Sequence, residues 1–227
     1  KQEADGDMLG INCSRPATCF PAAVTTAGSW DPELTEAVGN AIGQEALDQK
    51  VGVVLGPGCN LKRNPLCGRN FEYYSEDPVV SGEMAAAITR GVQKNKGVGV
   101  TVKHFACNNR EDDRTTVSSN LSERALREIY LRGFEMAVKE GGAKSVMTSY
   151  NKVNGVYTPN SYDLCTDVLR NEWGFDGVVM TDWFSTNPGL GKNDLCIKAG
   201  NDLIMPGTPM AEMEIRTGLK KGTITTK

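Results

Sequence analysis

The chain has 227 residues, 39% of them hydrophobic and 23% charged, with a formal net charge of -3. That composition can bury a core of one large domain or two small ones. Its mild acidity and scattered Lys and Arg exclude nucleic acid as a partner, and no apolar run approaches the ~20 residues of a membrane span. The N-terminal Lys1 to Asp7 has neither region of a signal peptide, so the expectation is a soluble protein with no membrane partner. Seven cysteines, an odd number with no Cys-x-x-Cys pair, fit neither a complete disulfide framework nor a zinc site. They read as small thiols in a reducing, cytoplasmic setting, with no metal and no cofactor; a Cys13 to Cys19 disulfide stays open.

In chain order, the first element is a possible short strand near Thr18 to Ala22. Asp31-Pro32 then suits the N-cap and first position of a helix, and Leu34, Ala37, Val38, Ala41, Ile42 and Leu47 follow at near-helical spacing as far as Lys50. Val51 to Leu55, almost wholly apolar and stopped by Gly56-Pro57-Gly58, reads as a strand buried on both faces. The unit repeats. A helix over Ser81 to Gln93 leads into a strand at Val98 to Val102, and a helix capped by Ser122 and running to Lys139 leads into Ser145 to Ser149. Thr166 to Trp173 precedes Gly177 to Thr181, and Asp194 to Ala199 precedes Asp202 to Met205. Alternating helices and buried strands predict an α/β fold with a parallel sheet.

The unusual residues choose between a barrel and an open sheet. Asn60, Lys103-His104, Tyr150-Asn151, Asp182-Trp183 and Met205-Pro206-Gly207 each lie just beyond a predicted strand. Polar groups gathered from the C-terminal ends of many strands are the pattern of a TIM-type (β/α) barrel, whereas a Rossmann sheet would carry a Gly-rich phosphate loop. One barrel domain over 1–227 is expected.

Asp182 closes a run of apolar and small residues, where a carboxylate is costly unless paired or used. Capping or a structural ion pair would account for it; the adjacent Trp183 favours a second reading, since the ring can stack on a sugar while the carboxylate attacks its anomeric carbon. Lys103 and His104, the chain's one histidine, offer hydrogen-bonding groups for vicinal hydroxyls, although a lone histidine is more often structural. A serine triad is disfavoured because no Gly-x-Ser-x-Gly elbow is present. The loop from Leu66 to Asp77 crowds Arg69, Asn70, Glu72, Glu76 and Asp77 with aromatics, and Glu72 could pair with Asp182 as a second carboxylate.

The stretches Leu66 to Pro78, Val102 to Phe105, Ser149 to Gly155, Glu172 to Gly177 and Met180 to Trp183 resemble, in order, the N-terminal barrel of glycoside hydrolase family 3 β-glucosidases, over about Pro16 to Gly207. The resemblance implies a retaining exo-β-glycosidase acting on terminal non-reducing β-D-glucosyl residues of a β-glucoside or oligosaccharide. Asp182 would form the covalent glycosyl-enzyme and Trp183 would shape the glycone subsite. Arg69, Lys103, His104, Arg114 and Tyr150 match positions that hold sugar hydroxyls or orient the nucleophile, and Met147 matches one lining the pocket. The family's N-acetylglucosaminidase branch has a Gly-His pair after the Lys-His motif; Lys103 to Asn109 continues without one, which implies the β-glucosidase-like route.

The resemblance also marks departures. A retaining glycosidase needs a second carboxyl as proton donor, and in this branch that glutamate comes from a C-terminal α/β sandwich domain, before which this chain ends. The family's first barrel strand and its Asp-Gly-Pro sugar-binding motif would also lie upstream. The expectation is a barrel lacking that strand, with an exposed sheet edge and a further segment or chain supplying the acid/base glutamate. The competing reading is a noncatalytic sugar-binding remnant that kept the pocket.

Overall fold

The computed structural model of the chain describes residues 2–4 and 16–225. In chain order its elements are β1 (Gln2–Ala4), α1 (Ala23–Ala27), α2 (Pro32–Asp48), β2 (Val51–Val54), α3 (Pro78–Gln93), β3 (Gly99–Phe105), β4 (Ser118–Ser119), α4 (Glu123–Ala125), α5 (Arg132–Lys139), β5 (Ser145–Thr148), β6 (Lys152–Val153), β7 (Val156–Tyr157), β8 (Val178–Met180), α6 (Asn193–Ala199) and α7 (Pro209–Lys221). Two further helical stretches, Leu126–Tyr130 and Asp163–Glu172, are π-helical. Helix α2 starts at the expected Asp31-Pro32, whereas α3 starts at Pro78, three residues ahead of the expected Ser81. Asp31 accepts from the Leu34 N–H at 2.9 Å and Asp77 from those of Val79 and Val80 at 2.8 Å, each with proline in the first turn.

The main sheet is parallel throughout, in the order β1-β2-β3-β5-β8. A parallel bridge from Met180 to Leu203 adds one more strand position beside β8, so that among the described residues the barrel stays open between β1 and Leu203. Strand alternation divides the core in two. Val54, Val100, Val102, Val146 and Val179 face outward into a layer with Ile42, Ala46, Phe134, Val168 and Leu169 of the surrounding helices. Their neighbours face inward, where Leu55, Met147, Met180 and Met205 form a separate apolar cluster inside the barrel. Phe105 is held edge-on by Phe134 and Trp173, with ring centroids 5.3 and 5.9 Å away.

Helices α2 and α3 cross closely through glycines. A methyl group on Gly39 would lie 2.6 Å from the Ile88 carbonyl oxygen, and one on Gly91 would collide with the Glu36 carbonyl. A second, three-stranded sheet β4-β6-β7 lies over the mouth. Asn154 and Gly155, at φ 48° and 86°, make the two-residue turn between β6 and β7. Bonds from Lys152 N–H to the Val117 carbonyl, Asn154 N–H to the Ser119 carbonyl and Tyr157 Oη to the Thr115 carbonyl, at 3.0, 3.0 and 3.1 Å, stitch this hairpin to the loop before α4.

Three expectations change. Thr18 to Ala22 is not a strand: the Thr18 N–H is taken by the Glu45 carboxylate of α2 at 3.1 Å, and Pro21 leads into α1. Asp202 to Met205 contributes only the Leu203 bridge, because Asp202 turns its carboxylate back to the Val179 N–H at 2.8 Å and to Arg170 at 2.7 Å. The short strand β1 occupies the edge beside β2, where no strand was expected. Helix α7 and the small sheet were likewise unread, and the Cys13 to Cys19 pairing lies outside the described residues. Six cysteines among those described are free thiols, all buried except Cys19. No helix is long and apolar enough to cross a membrane among the described residues.

Candidate active site

The barrel mouth is built from strand ends. Met180 and Asp182 lie on the same side of the chain, two residues apart, so the methionine joins the inner cluster and the carboxylate emerges above it. Met147, paired in register with Met180, belongs to this floor; it is 2% exposed and supports the site from below. The pairing of β3 with β5 slips between Val102 and Phe105, and both Lys103 and His104 reach groups of the mouth although adjacent in sequence.

Asp182 is 8% exposed. Its Oδ1 accepts from the Trp183 N–H at 2.7 Å, whereas Oδ2 is enclosed without a hydrogen-bond partner among the described residues. Burial pushes its carboxyl above the ordinary value, opposed by the Trp183 N–H and by the charges of Arg69, Lys103 and Arg114. The unsatisfied oxygen is a costly feature for a purely structural aspartate, and it has the form a nucleophile needs.

His104 is buried, with Nδ1 3.0 Å from Tyr73 Oη and Nε2 3.8 Å from Asp182 Oδ2. Its backbone is clamped on both sides by Asn60, whose side-chain amide accepts from the His104 N–H and donates to its carbonyl, both at 2.9 Å. Burial, then the Arg69, Lys103 and Arg114 charges, hold the imidazole well below its usual pKa, so it is neutral.

Arg69 is paired with Glu72, whose other oxygen lies 3.9 Å from Lys103 Nζ. Glu72 thus faces two cations, and its Oε2, like Asp182 Oδ2, has no hydrogen-bond partner among the described residues. Arg114 stacks over the Tyr150 ring, 4.4 Å from its centroid, and donates to Glu111 at 2.9 Å. Tyr150 Oη donates to the Trp183 carbonyl, and its phenol is pushed up to about 12 by burial and by the Asp182 charge. Trp183 is 45% exposed, leaving its ring free to receive a ligand face.

The structure thus brings Arg69, Lys103, His104, Arg114, Tyr150, Asp182 and Trp183 to one mouth, with Met147 beneath. Sequence reasoning missed Tyr73, Asn108 and Glu111. Asn108 Nδ2 donates to Tyr73 Oη at 3.2 Å and to Glu111 Oε1 at 2.9 Å. Asn108 and Glu111 sit in the stretch following Lys103-His104, where the polar run of Asn108, Asn109 and Glu111 was the available signal.

A buried carboxylate at the C-terminal mouth of a (β/α) barrel, with cations around it and an exposed indole beside it, is an arrangement suited to holding a sugar. The chain belongs to glycosyl hydrolase family 3, whose N-terminal domain matches residues 7–227. It is 48% identical over 225 residues to thermostable β-glucosidase B of Acetivibrio thermocellus, covering 99% of this chain and 29% of that protein. Exo-α-(1→6)-L-arabinopyranosidase of Bifidobacterium longum is 49% identical over 215 residues, 95% of this chain and 28% of its own. The solved structure of β-glucosidase 3B from Thermotoga neapolitana with glucose superposes with a TM-score of 0.89 at 49% identity, over 98% of this chain and 33% of that one. The chain therefore spans about a third or less of the length of these relatives.

Proposed function

We propose that this chain, as one barrel domain over 1–227, carries the nucleophile face of a retaining exo-β-glycosidase that releases terminal non-reducing β-D-glucosyl residues. The observation carrying this reading is the enclosed Oδ2 of Asp182 at the barrel mouth, without a hydrogen-bond partner among the described residues. That oxygen attacks the anomeric carbon as the bond to the aglycone oxygen breaks, giving a glycosyl ester on Asp182. Water then attacks the anomeric carbon from the face the aglycone left, giving its proton to the acid/base group, and the Asp182 carboxylate departs as the free sugar is released. Arg69, Lys103, His104, Arg114 and Tyr150 hold the hydroxyls or the carboxylate, and Trp183 stacks on the ring.

The leaving oxygen needs a proton, and among the described residues the carboxylates of Glu72 and Glu111 at this mouth each face cations, Glu72 those of Arg69 and Lys103 and Glu111 that of Arg114. We assign the acid/base glutamate to a further segment or chain. The free thiols support a reducing, cytoplasmic setting as part of the same proposal.

The test is intact-mass analysis after incubation with a 2-deoxy-2-fluoroglucoside carrying a dinitrophenolate, a leaving group that departs without acid help. A glycosyl adduct mapping to Asp182 is the expected result. A folded chain that binds the sugar and forms no adduct would favour the noncatalytic sugar-binding reading.

A further inference from the structure

We infer that Glu111, acting through Asn108 and Tyr73, fixes His104 as the tautomer protonated on Nε2 and so turns an N–H group toward Asp182. Glu111 is a positioning residue on this account, reaching the nucleophile through three intermediates. The argument is one of donors and acceptors. The Glu111 carboxylate accepts from Arg114 through Oε2 and from Asn108 through Oε1, both at 2.9 Å. A carboxylate only accepts, so the Asn108 amide must present its NH₂ to it; the flipped amide would set oxygen against oxygen. That leaves Asn108 Oδ1 enclosed without a partner, while Nδ2 directs its second hydrogen to Tyr73 Oη at 3.2 Å.

Tyr73 Oη then already accepts one bond, and among the described residues its own hydrogen has one acceptor within reach, His104 Nδ1 at 3.0 Å. Nδ1 must be bare to receive it, which puts the proton of the neutral ring on Nε2. The opposite polarity would aim a Tyr73 hydrogen at an amide NH₂ and strand a buried donor. At the far end, Nε2 faces Asp182 Oδ2 across 3.8 Å. This is too long for a direct hydrogen bond, but close enough that an N–H attracts the carboxylate where a bare lone pair would repel it. The same Glu111 holds Arg114 over Tyr150, so one carboxylate braces both flanks of the nucleophile.

The catalytic use of that N–H rests on the proposed function; the tautomer does not, and its test needs no turnover. His104 is the only histidine in the chain, so a long-range ¹H–¹⁵N spectrum of ¹⁵N-histidine-labelled full chain contains one imidazole. The expected pattern is protonated Nε2 and bare Nδ1; the reverse in the wild type overturns the inference outright. Asn108→Asp puts a carboxyl there that shares one proton with Glu111, so that toward Tyr73 it offers an acceptor in place of the donor and is expected to move the imidazole proton to Nδ1. Glu111→Gln, which lets the Asn108 amide turn over, is the second variant and should give a mixture of tautomers. A variant that retains the wild-type circular dichroism and the unchanged imidazole pattern overturns the relay.

Discussion

The Glu72 carboxylate lies 3.9 Å from the Lys103 ammonium, and both side chains are almost wholly enclosed, at 1% and 4% exposure. Its other oxygen is taken by Arg69. Glu72→Gln removes the carboxylate charge that both cations share. Removing one member of a buried pair costs about 3 kcal/mol, so the urea midpoint should fall by a corresponding amount. An unchanged midpoint would mean that the pair contributes nothing to folding.

Asp182 couples function to instability. Because burial raises its carboxyl, the folded chain holds that proton more tightly than the unfolded chain does. The stability gained from the protonated form is present below about pH 3.9 and is lost as pH rises through the folded value. Asp182→Asn escapes this loss, and should therefore melt higher than the wild type at pH 7 and close to it at pH 3.5. Its trapping by the fluorosugar should drop by on the order of 10⁴-fold, the scale of losing a covalent nucleophile. An asparagine variant that melts lower at pH 7 would contradict the account.

His104 has the opposite sign. Its folded pKa is depressed, so the unfolded chain binds more protons below the ordinary histidine value. Stability is full above about pH 6.5 and falls as the pH drops below it, by at most ~1.4 kcal/mol per unit. With one histidine in the chain, the imidazole part of this slope belongs to one group. His104→Gln should flatten the decline between pH 6.5 and 5 in urea titrations, whatever its effect on the absolute level.

At the α2–α3 crossing, helix propensity and packing disagree. Alanine is the better helix former by up to ~1 kcal/mol, but at Gly91 its methyl meets the Glu36 backbone, which cannot rotate away. Gly91→Ala is expected to destabilise by ~1–3 kcal/mol. A stabilised variant would show that the two helices can separate at little cost.

The regular units were legible because their signals are local. Asp31-Pro32 announces a helix start, Val51 to Leu55 announces a doubly buried strand, and Asp182 stands out as a charge ending an apolar run. The residue sets that act through partners were not. Tyr73 meets His104 across 31 positions, and neither spacing nor type marks the pair. Helical periodicity also does not separate an α-helix from the π-helical Asp163–Glu172, since both place apolar residues on one face. Asp202 to Met205 has strand-like composition, yet a single carboxylate bonded back to Val179 limits it to a bridge.

The small sheet over the mouth joins two loops that come from different barrel strands. Arg114 rides on the loop stitched to β6, and Tyr150 sits two residues before β6. Loops around a barrel are ordinarily free to move and to change length one at a time. Here a hinge in either would drag the other, so the cation and the phenol are carried on a single lever. Widening this side of the mouth requires both loops to be remodelled together.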